Sequence, residues 1–318
     1  MRILFLAAAL VVASIDVQAQ SWPAKPIRVI VPAVGGSAVD VGMRRVAPKL
    51  AEALGQPVIV ENRPGANSMI GAREVARMPA DGYTLLHANI NNALNDLLAP
   101  DPCCRLNQEL APISRMFASP MVMVVNPSVP ATTLREYIAL AKAKGQSITF
   151  ASGGTGSLTQ LVGETLKVAS GINIAEVPYK SIGAEVPDLL AGHVMTGFLA
   201  PSAVAQHIKA GKLRALALAD PARIGILPDV PTTTEAGLPA LQATGWNGLY
   251  APAGTPEPII RRLQAEIVKA LAAPDIREDA KTNGWVLGGD QPEEFAAYVR
   301  AEMTKWGRII REANIKVQ

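Results

Sequence analysis

Short β-rich apolar runs alternate with amphipathic helical stretches along this chain, and the alternation stops once and then restarts. The first series contains the runs IRVIVPA (27–33), PVIVEN (57–62) and GYTLLHA (82–88), with helical patterns between them. The order strand, helix, strand, helix, strand is typical of parallel strands joined by right-handed helical crossovers. The sequence therefore predicts an α/β fold that begins with a doubly wound unit.

The second series begins at MVMVV (121–125). It contains further β-rich runs, separated by helical patterns, at 148–152, 173–179, 193–200 and 213–219. After residue 245 the chain has two long amphipathic helices but only one short β-rich run, WVLGG (285–289). Because one short strand cannot form a sheet of its own, we expect this C-terminal part to complete the first unit.

These two series predict two lobes, each a mostly parallel sheet flanked by helices. Residues 20–124 together with 246–318 form lobe 1, and residues 125–245 form lobe 2. The chain then crosses between the lobes near Val125 and Gly245. Small ligands commonly bind in the cleft between two such lobes.

The composition excludes several classes of protein. Of the 318 residues, 49% are hydrophobic and 18% are charged, which is typical of a globular chain and not of a disordered one. The net charge of +3 comes from scattered Lys and Arg, and only 4% of residues are aromatic. Neither a basic stripe nor a base-stacking surface is expected, so we expect no nucleic-acid partner.

The first nineteen residues have the layout of a secretory signal peptide. Arg2 precedes an apolar run from Ile3 to Ala13, and small residues allow cleavage after Ala19. That run is too short to cross a bilayer, which takes ~20 helical residues. The alternative is a buried N-terminal helix. We expect the mature protein to be exported and soluble.

Residues that carry catalytic or metal chemistry are sparse. The three histidines, His87, His193 and His207, are isolated, and the sequence contains no HxxxH, CxxC or GxSxG motif. Cys103 and Cys104 are adjacent, and neighbouring Cα atoms lie ~3.8 Å apart, below the usual disulfide range. Free thiols or an incidental loop bridge are the expectation. We expect no metal and no cofactor, while a catalytic triad assembled from residues distant in the chain stays open.

Two Gly- and Ser-rich loops each lie between a predicted strand and a predicted helix. The segment Gly154-Thr155-Gly156-Ser157 resembles half a dinucleotide-binding fingerprint, but Thr159 stands where the third glycine belongs. A helix start of this kind also suits an anion, through unpaired N–H groups and the helix dipole. The loop Gly35-Gly36-Ser37 holds the corresponding place in lobe 1. Two such loops facing one cleft would suit a carboxylate ligand.

Long stretches of the chain resemble one known family. They include ENRPGANSMIGAREVARMPADGYTLL (61–86), NPSVPATTLREYIALAKA (126–143), FASGGTGSLTQLVGE (150–164), LPDVPTTTEAGLP (227–239) and APAGTPEPII (251–260). In these segments, and in their order and spacing, the sequence resembles the Bug-type periplasmic solute receptors of tripartite tricarboxylate transporters. The resemblance runs from about Trp22 to the C-terminus.

The resemblance implies a two-lobed Venus-flytrap fold that captures a small organic carboxylate in the periplasm. The ligand then passes to a permease of one small and one large integral membrane subunit. The receptor performs no chemistry, needs no cofactor and is expected to be a monomer. Two other classes stay open: a sensory protein that reports ligand occupancy to a signalling partner, and a periplasmic hydrolase with a Ser–His pair across the cleft.

The family places ligand contacts on backbone N–H groups and hydroxyls of the two loops and on neighbouring strand ends. Carried over to this sequence, the ligand-binding residues are Val34, Gly35, Gly36, Ser37, Val39, Asp40, Asn89, Asn91, Ser152, Gly153, Thr155, Gly156, Ser157, Tyr179, Phe198 and Ser202. The sequence departs from the family pattern at Val39, where a threonine is common. It departs again at Asn67 and Ser68, where a Gly-Gly pair is usual.

The segment before Pro201-Ser202 bears on the kind of ligand. Family members that resemble amino-acid receptors have an acidic residue there, whereas this sequence has Phe198, Leu199 and Ala200. A buried ammonium without a carboxylate partner is costly. We therefore expect a carboxylate with an apolar body and no ammonium near lobe 2. The alternative is that Phe198 is a core residue pointing away from the cleft.

Overall fold

The computed structural model describes residues 22–98, 105–179 and 182–315. The predicted signal peptide and the Cys103-Cys104 pair lie outside the described residues. The strands are β1 (Ile27–Val31), β2 (Val58–Asn62), β3 (Thr84–Asn89), β4 (Leu110–Pro120), β5 (Val122–Val125), β6 (Thr149–Ser152), β7 (Ala175–Pro178), β8 (Thr196–Leu199), β9 (Arg214–Leu218), β10 (Thr244–Pro252) and β11 (Val286–Leu287). The helices are α1 (Ala38–Leu54), α2 (Met69–Ala76), α3 (Ile90–Leu98), α4 (Leu134–Lys144), α5 (Leu158–Ser170), α6 (Ile182–Ala191), α7 (Pro201–Lys209), α8 (Glu257–Leu271), α9 (Pro274–Asn283) and α10 (Pro292–Glu312).

The strands form two sheets, one in each lobe. The first has the order β11-β4-β10-β3-β1-β2 and the second the order β7-β6-β8-β5-β9. Helices flank both sheets, so the predicted two-lobed α/β fold is confirmed. The antiparallel share is larger than predicted, because β4, β5 and β10, the strands next to the lobe crossings, pair antiparallel with their neighbours.

The spacing of apolar residues explains how the helices pack on the sheets. Met43, Val46 and Leu50 recur at three and four residues, so they lie on one face of α1. That face packs on Val29 of β1 and beside Leu263 of α8 in one buried cluster. Among the described residues, none of the helices combines the length and the apolar character needed to cross a bilayer.

The two chain crossings lie side by side. Met121 N donates to Ala243 O (2.9 Å), Ala219 N donates to Met121 O (2.8 Å) and Ala243 N donates to Ala219 O (2.8 Å). Strand pairing places residue 122 in the second sheet and residue 244 in the first, whereas the predicted boundaries were 125 and 246. Met121 alone therefore forms the first crossing, and hydrogen bonds join it to Ala219 and Ala243 beside it.

Helix α1 begins after Ser37, the N-cap, whose side chain accepts the N–H of Asp40 at 3.4 Å. Asp40 lies in the first turn, where it makes the contacts described below. Pro48 lies inside α1 on its exposed side, and the helix continues through it.

Candidate functional site

Three loops follow the carboxyl ends of parallel strands. One connects β1 to α1, one connects β6 to α5, and the third is the direct passage from β3 into α3. In open α/β sheets, ligands bind outside the carboxyl ends of the strands. The first and third loops follow neighbouring strands of lobe 1, and the second loop belongs to lobe 2.

A buried carboxylate holds the first loop. Asp40 is 2% exposed, and its Oδ2 accepts the backbone N–H of Gly36 at 2.9 Å. Its Oδ1 accepts from Asn62 Nδ2 at 2.9 Å, and the same Nδ2 also donates to Ala33 O at 3.1 Å. Arg44 Nε donates to Asp40 at 3.0 Å. Asp40 therefore fixes the loop from its inner side.

The electrostatics of Asp40 agree with this internal role. Burial by itself would raise the pKa of its carboxyl, but hydrogen bonds from Arg44, Gly36 and Asn62 outweigh burial and lower the pKa below its usual value. The carboxylate is ionised and already has three donors. The loop tip, in contrast, is open to solvent, with Val34 59% exposed and Gly35 and Gly36 also exposed.

The second loop is held by a carboxylate too. Ser152 Oγ donates to Glu176 Oε1 (2.5 Å) and accepts the N–H of Gly154 at 3.1 Å. Gln160 Nε2 donates to Glu176 Oε2 at 3.1 Å, while Gln160 Oε1 accepts the N–H of Gly156 at 2.8 Å. Glu176 thus connects strand β7 to both ends of the loop.

Two more N–H groups of this loop have partners within it. Gly153 N donates to Thr159 Oγ1 at 2.8 Å, and Ser157 N donates to Gly154 O at 3.1 Å. Ser157 Oγ caps α5 by accepting the N–H of Gln160. The sequence led us to expect these N–H groups to be available for a ligand carboxylate. The structure instead uses them to shape the loop and leaves the side chain of Thr155 exposed.

The third loop is a polar cluster around Asn89. Asn89 Nδ2 donates to Ser68 Oγ at 3.1 Å, and Asn89 Oδ1 accepts the N–H of Asn91 at 2.9 Å. Asn92 Oδ1 accepts the N–H of Asn89, and Asn92 Nδ2 donates to Ser68 O, both at 3.0 Å. Asn89 is therefore occupied internally, while Asn91 is only half-buried.

The two lobes meet at the second loop. Asn67, which precedes α2 in lobe 1, donates from Nδ2 to the carbonyl oxygen of Gly156 in lobe 2 at 3.2 Å. Asn95 Nδ2 in turn donates to the carbonyl oxygen of Asn67. In the sequence, Asn67 is only a departure from the family pattern, and no role was predicted for it.

A second residue without a predicted role is Asn247 of β10. Its Oδ1 lies 3.0 Å from Nε2 of His87, and the histidine is completely buried. Burial lowers the pKa of His87 to about 4, so the ring is neutral at pH 7. Asn247 itself is half-buried on the strand next to Asn89. A single Asn inside the apolar run GWNGLY was the only sequence signal for it.

The predicted residues at the edge of lobe 2 do not all reach solvent. Tyr179 is half-buried and its hydroxyl donates to Asp188 at 2.9 Å, while Ser202 is exposed at the start of α7. Phe198 is 0% exposed and packs in the core with residues of α4 and α5. This corrects the prediction of Phe198 as a ligand contact and agrees with the alternative that it is a core residue. Successive side chains of strand β8 point to opposite faces of the sheet, and the ring of Phe198 lies on the core face.

Lobe 2 also contains a buried carboxyl group that the sequence pattern did not predict. Glu185 of α6 is 1% exposed, and its Oε1 has no hydrogen-bond partner among the described residues. A Cβ added at Gly197 of β8 would lie 3.2 Å from that oxygen. Burial raises the pKa of Glu185 to about 7. Lobe 2 therefore contains a buried acid, Glu185, although residues 198–200 include none.

The described residues contain no cluster of three or more His, Cys, Asp or Glu side chains placed to hold a metal ion. The site consists of hydroxyls, amides and backbone groups on loops from two lobes. Two α/β lobes joined by two short crossings, with such loops where they meet, define the class of two-lobed binding proteins.

Comparison with known proteins assigns the family. The model of the tripartite tricarboxylate transporter family receptor matches residues 43–315, and this chain belongs to that family. The periplasmic binding protein BugD is 29% identical, with a TM-score of 0.82 over 93% of this chain and 100% of BugD.

Two further solved structures carry ligands. The R. palustris protein Rpa4515 with adipate is 28% identical, with a TM-score of 0.84 over 93% of this chain and 99% of its own. MatC (Rpa3494) from Rhodopseudomonas palustris, with bound malate, is 28% identical, with a TM-score of 0.81 over 91% of this chain and 100% of its own.

Proposed function

We propose that this chain is a periplasmic receptor that binds a small organic carboxylate between its two lobes. The observation that carries the proposal is the pair of loops, β1–α1 and β6–α5, each held by a buried or partly buried carboxylate and each at the start of a helix. Helix starts favour anions. Two similar proteins have been solved with adipate and with malate, both dicarboxylates.

The contacts we propose for the ligand lie on the outer side of these loops. In lobe 1 they are the exposed backbone of Gly35 and the half-buried amides of Asn91 and Asn247. The N–H of Gly36 already donates to Asp40. In lobe 2 the contact is the exposed hydroxyl of Thr155. We propose that Asp40, Ser152 and Ser157 do not contact the ligand. Their polar atoms already make the hydrogen bonds that hold the two loops.

We further propose that the protein does not catalyse a reaction. Among the described residues, the side chain of His87 contacts Asn247 and that of His193 contacts Asp188, and neither meets a serine hydroxyl. A hydrolase would turn over ester substrates and lose that activity when one serine is changed. No turnover of a panel of aryl esters is the expected result.

The third part of the proposal is delivery of the ligand to a permease with one small and one large membrane subunit. Family membership supports it. The alternative is a receptor that reports to a signalling partner. Uptake of labelled ligand by cells that carry the permease subunits, with and without this chain, separates the two. Uptake that does not depend on this chain would favour the sensor.

The binding proposal is tested by a thermal-shift and calorimetry screen. The panel is adipate, malate, a tricarboxylate and, as matched controls, the corresponding neutral diamides. A ligand at 100 times its Kd adds about 2.7 kcal/mol to the free energy of unfolding. We expect a shift with at least one carboxylate and none with its diamide. Equal shifts with acid and diamide, or no shift with any acid, would contradict the proposal.

A further inference from the structure

The segment before α2 has an unusual backbone. Gly65, Ala66, Asn67 and Ser68 have φ values of 120°, 44°, 47° and 76°. Three of these are not glycine, and left-handed φ values are unfavourable for residues with a Cβ, least so for Asn. A run of this kind persists only where surrounding contacts impose it.

Amide side chains from α3 and the end of β3 supply those contacts. Asn95 Nδ2 donates to the carbonyl oxygen of Asn67, Asn92 Nδ2 donates to that of Ser68, and Asn89 Nδ2 donates to Ser68 Oγ. Ser68, Asn89 and Asn92 are buried. The turn is therefore rigidly attached to lobe 1.

The tip of this turn reaches across to lobe 2. Asn67 Nδ2 donates to Gly156 O at 3.2 Å. Gly156 has φ 77°, and a Cβ there would lie 2.9 Å from Leu98 Cδ1 and 3.7 Å from Asn67 Nδ2. On its other side, Gly156 N donates to Gln160. Gly156 is thus enclosed between its own helix and two residues of lobe 1.

We propose that Asn67 is a positioning residue of the ligand-binding site: its amide fixes the β6–α5 loop against lobe 1 and stabilises the contact between the lobes. The inference deepens the proposed function and rests on it for the effect on ligand binding. A contact that forms only when the lobes meet shifts the equilibrium toward the conformation in which both loops face one ligand.

Asn67→Gly separates this role from a purely structural one. Glycine accepts φ 47° without strain, so the turn is relieved while the amide that reaches Gly156 is lost. The same amide nitrogen also donates to Asn95 Oδ1 within lobe 1, at the longer distance of 3.4 Å. We expect the thermal midpoint of the ligand-free protein to be unchanged or higher. We expect carboxylate binding to weaken about 2- to 10-fold, the factor of one neutral hydrogen bond. Ala66→Gly is the matched control, because it relieves the adjacent residue and removes no side-chain hydrogen bond.

The distance between the lobes gives a readout that needs no ligand. Spin labels at Val268→Cys in α8 and Val168→Cys in α5 use exposed positions, one in each lobe, in a background with Cys103 and Cys104 changed to serine. We expect Asn67→Gly to lengthen or broaden the measured distance distribution and Ala66→Gly to leave it unchanged. An unchanged distribution in Asn67→Gly overturns the inference.

The calorimetric arm uses adipate and malate as probes. An affinity equal to that of wild type in Asn67→Gly, or an equal loss in Ala66→Gly, also overturns the inference. If the wild-type protein binds no carboxylate, the proposed function fails and the distance measurement alone decides the role of Asn67.

Discussion

His87 Nε2 lies 3.0 Å from Asn247 Oδ1, so a fully buried imidazole on β3 supports an amide on β10 that is only half-buried. The two strands are neighbours in the first sheet, and Asn247 also lies opposite Asn89. A neutral ring that faces an amide oxygen carries its hydrogen on Nε2 and leaves the amide nitrogen of Asn247 free to donate elsewhere. His87 therefore fixes the orientation of the Asn247 amide in the candidate site.

His87 makes stability depend on pH. Burial lowers its pKa to about 4 from the usual value of 6.5, so the unfolded chain takes up a proton before the folded one does. The contribution of His87 is complete above pH 6.5 and is lost as the pH falls toward 4, up to about 3 kcal/mol. His87→Gln keeps a donor for Asn247 and has no such dependence.

Urea unfolding of wild type and His87→Gln between pH 7.5 and 4.5 tests this. The quantity compared is the free energy of unfolding of the variant minus that of wild type. We expect this difference to increase as the pH falls from 7.5 to 4.5. A difference that does not change with pH would show that the ring titrates equally in the folded and unfolded chains.

Asp40→Asn tests the support of the first loop. The change removes the negative charge of the side chain that accepts hydrogen bonds from Arg44 and Gly36. We expect the free energy of unfolding to fall by about 1–3 kcal/mol. Because its pKa is lowered, Asp40 contributes stability above about pH 4, and the difference from wild type shrinks below that pH. Carboxylate affinity falls as well, although Asp40 need not touch the ligand.

Glu52→Gln is the control for this prediction, since Glu52 is exposed on the same helix. Its effect on stability stays within about 0.5 kcal/mol. Denaturant unfolding at pH 7 and pH 3.5 provides the comparison. Equal stability of Asp40→Asn and wild type at pH 7 would contradict the role of Asp40.

Thr155 and Ser157 separate ligand contact from helix capping. Thr155 is exposed, so Thr155→Ala leaves the thermal midpoint unchanged but weakens carboxylate binding, about 10-fold or more for a hydrogen bond to a charged group. Ser157 caps α5, so Ser157→Ala lowers stability by about 1 kcal/mol. Calorimetry and thermal denaturation of both variants give the comparison. Full carboxylate affinity in Thr155→Ala would show that the ligand carboxylate does not contact this loop.

The local pattern was sufficient to predict the two loops. Strand runs, glycines and helix periodicity place Gly36 and Gly156 in loops between a strand and a helix, and the structure has them there. Strand β4 was missed because Pro112 and Pro120 lie inside it. Pro112 is tolerated where β4 pairs only with β10, since the partner strand β11 reaches no further than Phe117 and Ala118.

Contacts between distant parts of the chain were beyond prediction. Asn67 and Gly156 are separated by 89 positions, and Ser152 and Glu176 by 24. Such pairs depend on how the lobes and strands pack, which no local spacing encodes. Phe198 was misplaced for a related reason: a four-residue strand buried on both faces has no polar alternation to show which face a ring occupies.

Glu185 gives the opposite pH dependence to His87. Burial raises its pKa to about 7, so the folded protein keeps this carboxyl protonated at pH values where the unfolded chain has ionised it. Its contribution is complete below about pH 4.5 and is lost as the pH rises through 7, up to about 3 kcal/mol. Glu185→Gln matches the neutral form in shape and cannot ionise.

We therefore expect Glu185→Gln to unfold like wild type at pH 4.5 and to be more stable at pH 8. Glu257→Gln is the control, because Glu257 is exposed in the first turn of α8. The measurement is urea unfolding of the three proteins at both pH values. A variant that is equally stable or less stable than wild type at pH 8 would mean that Glu185 is ionised and paired in the folded protein.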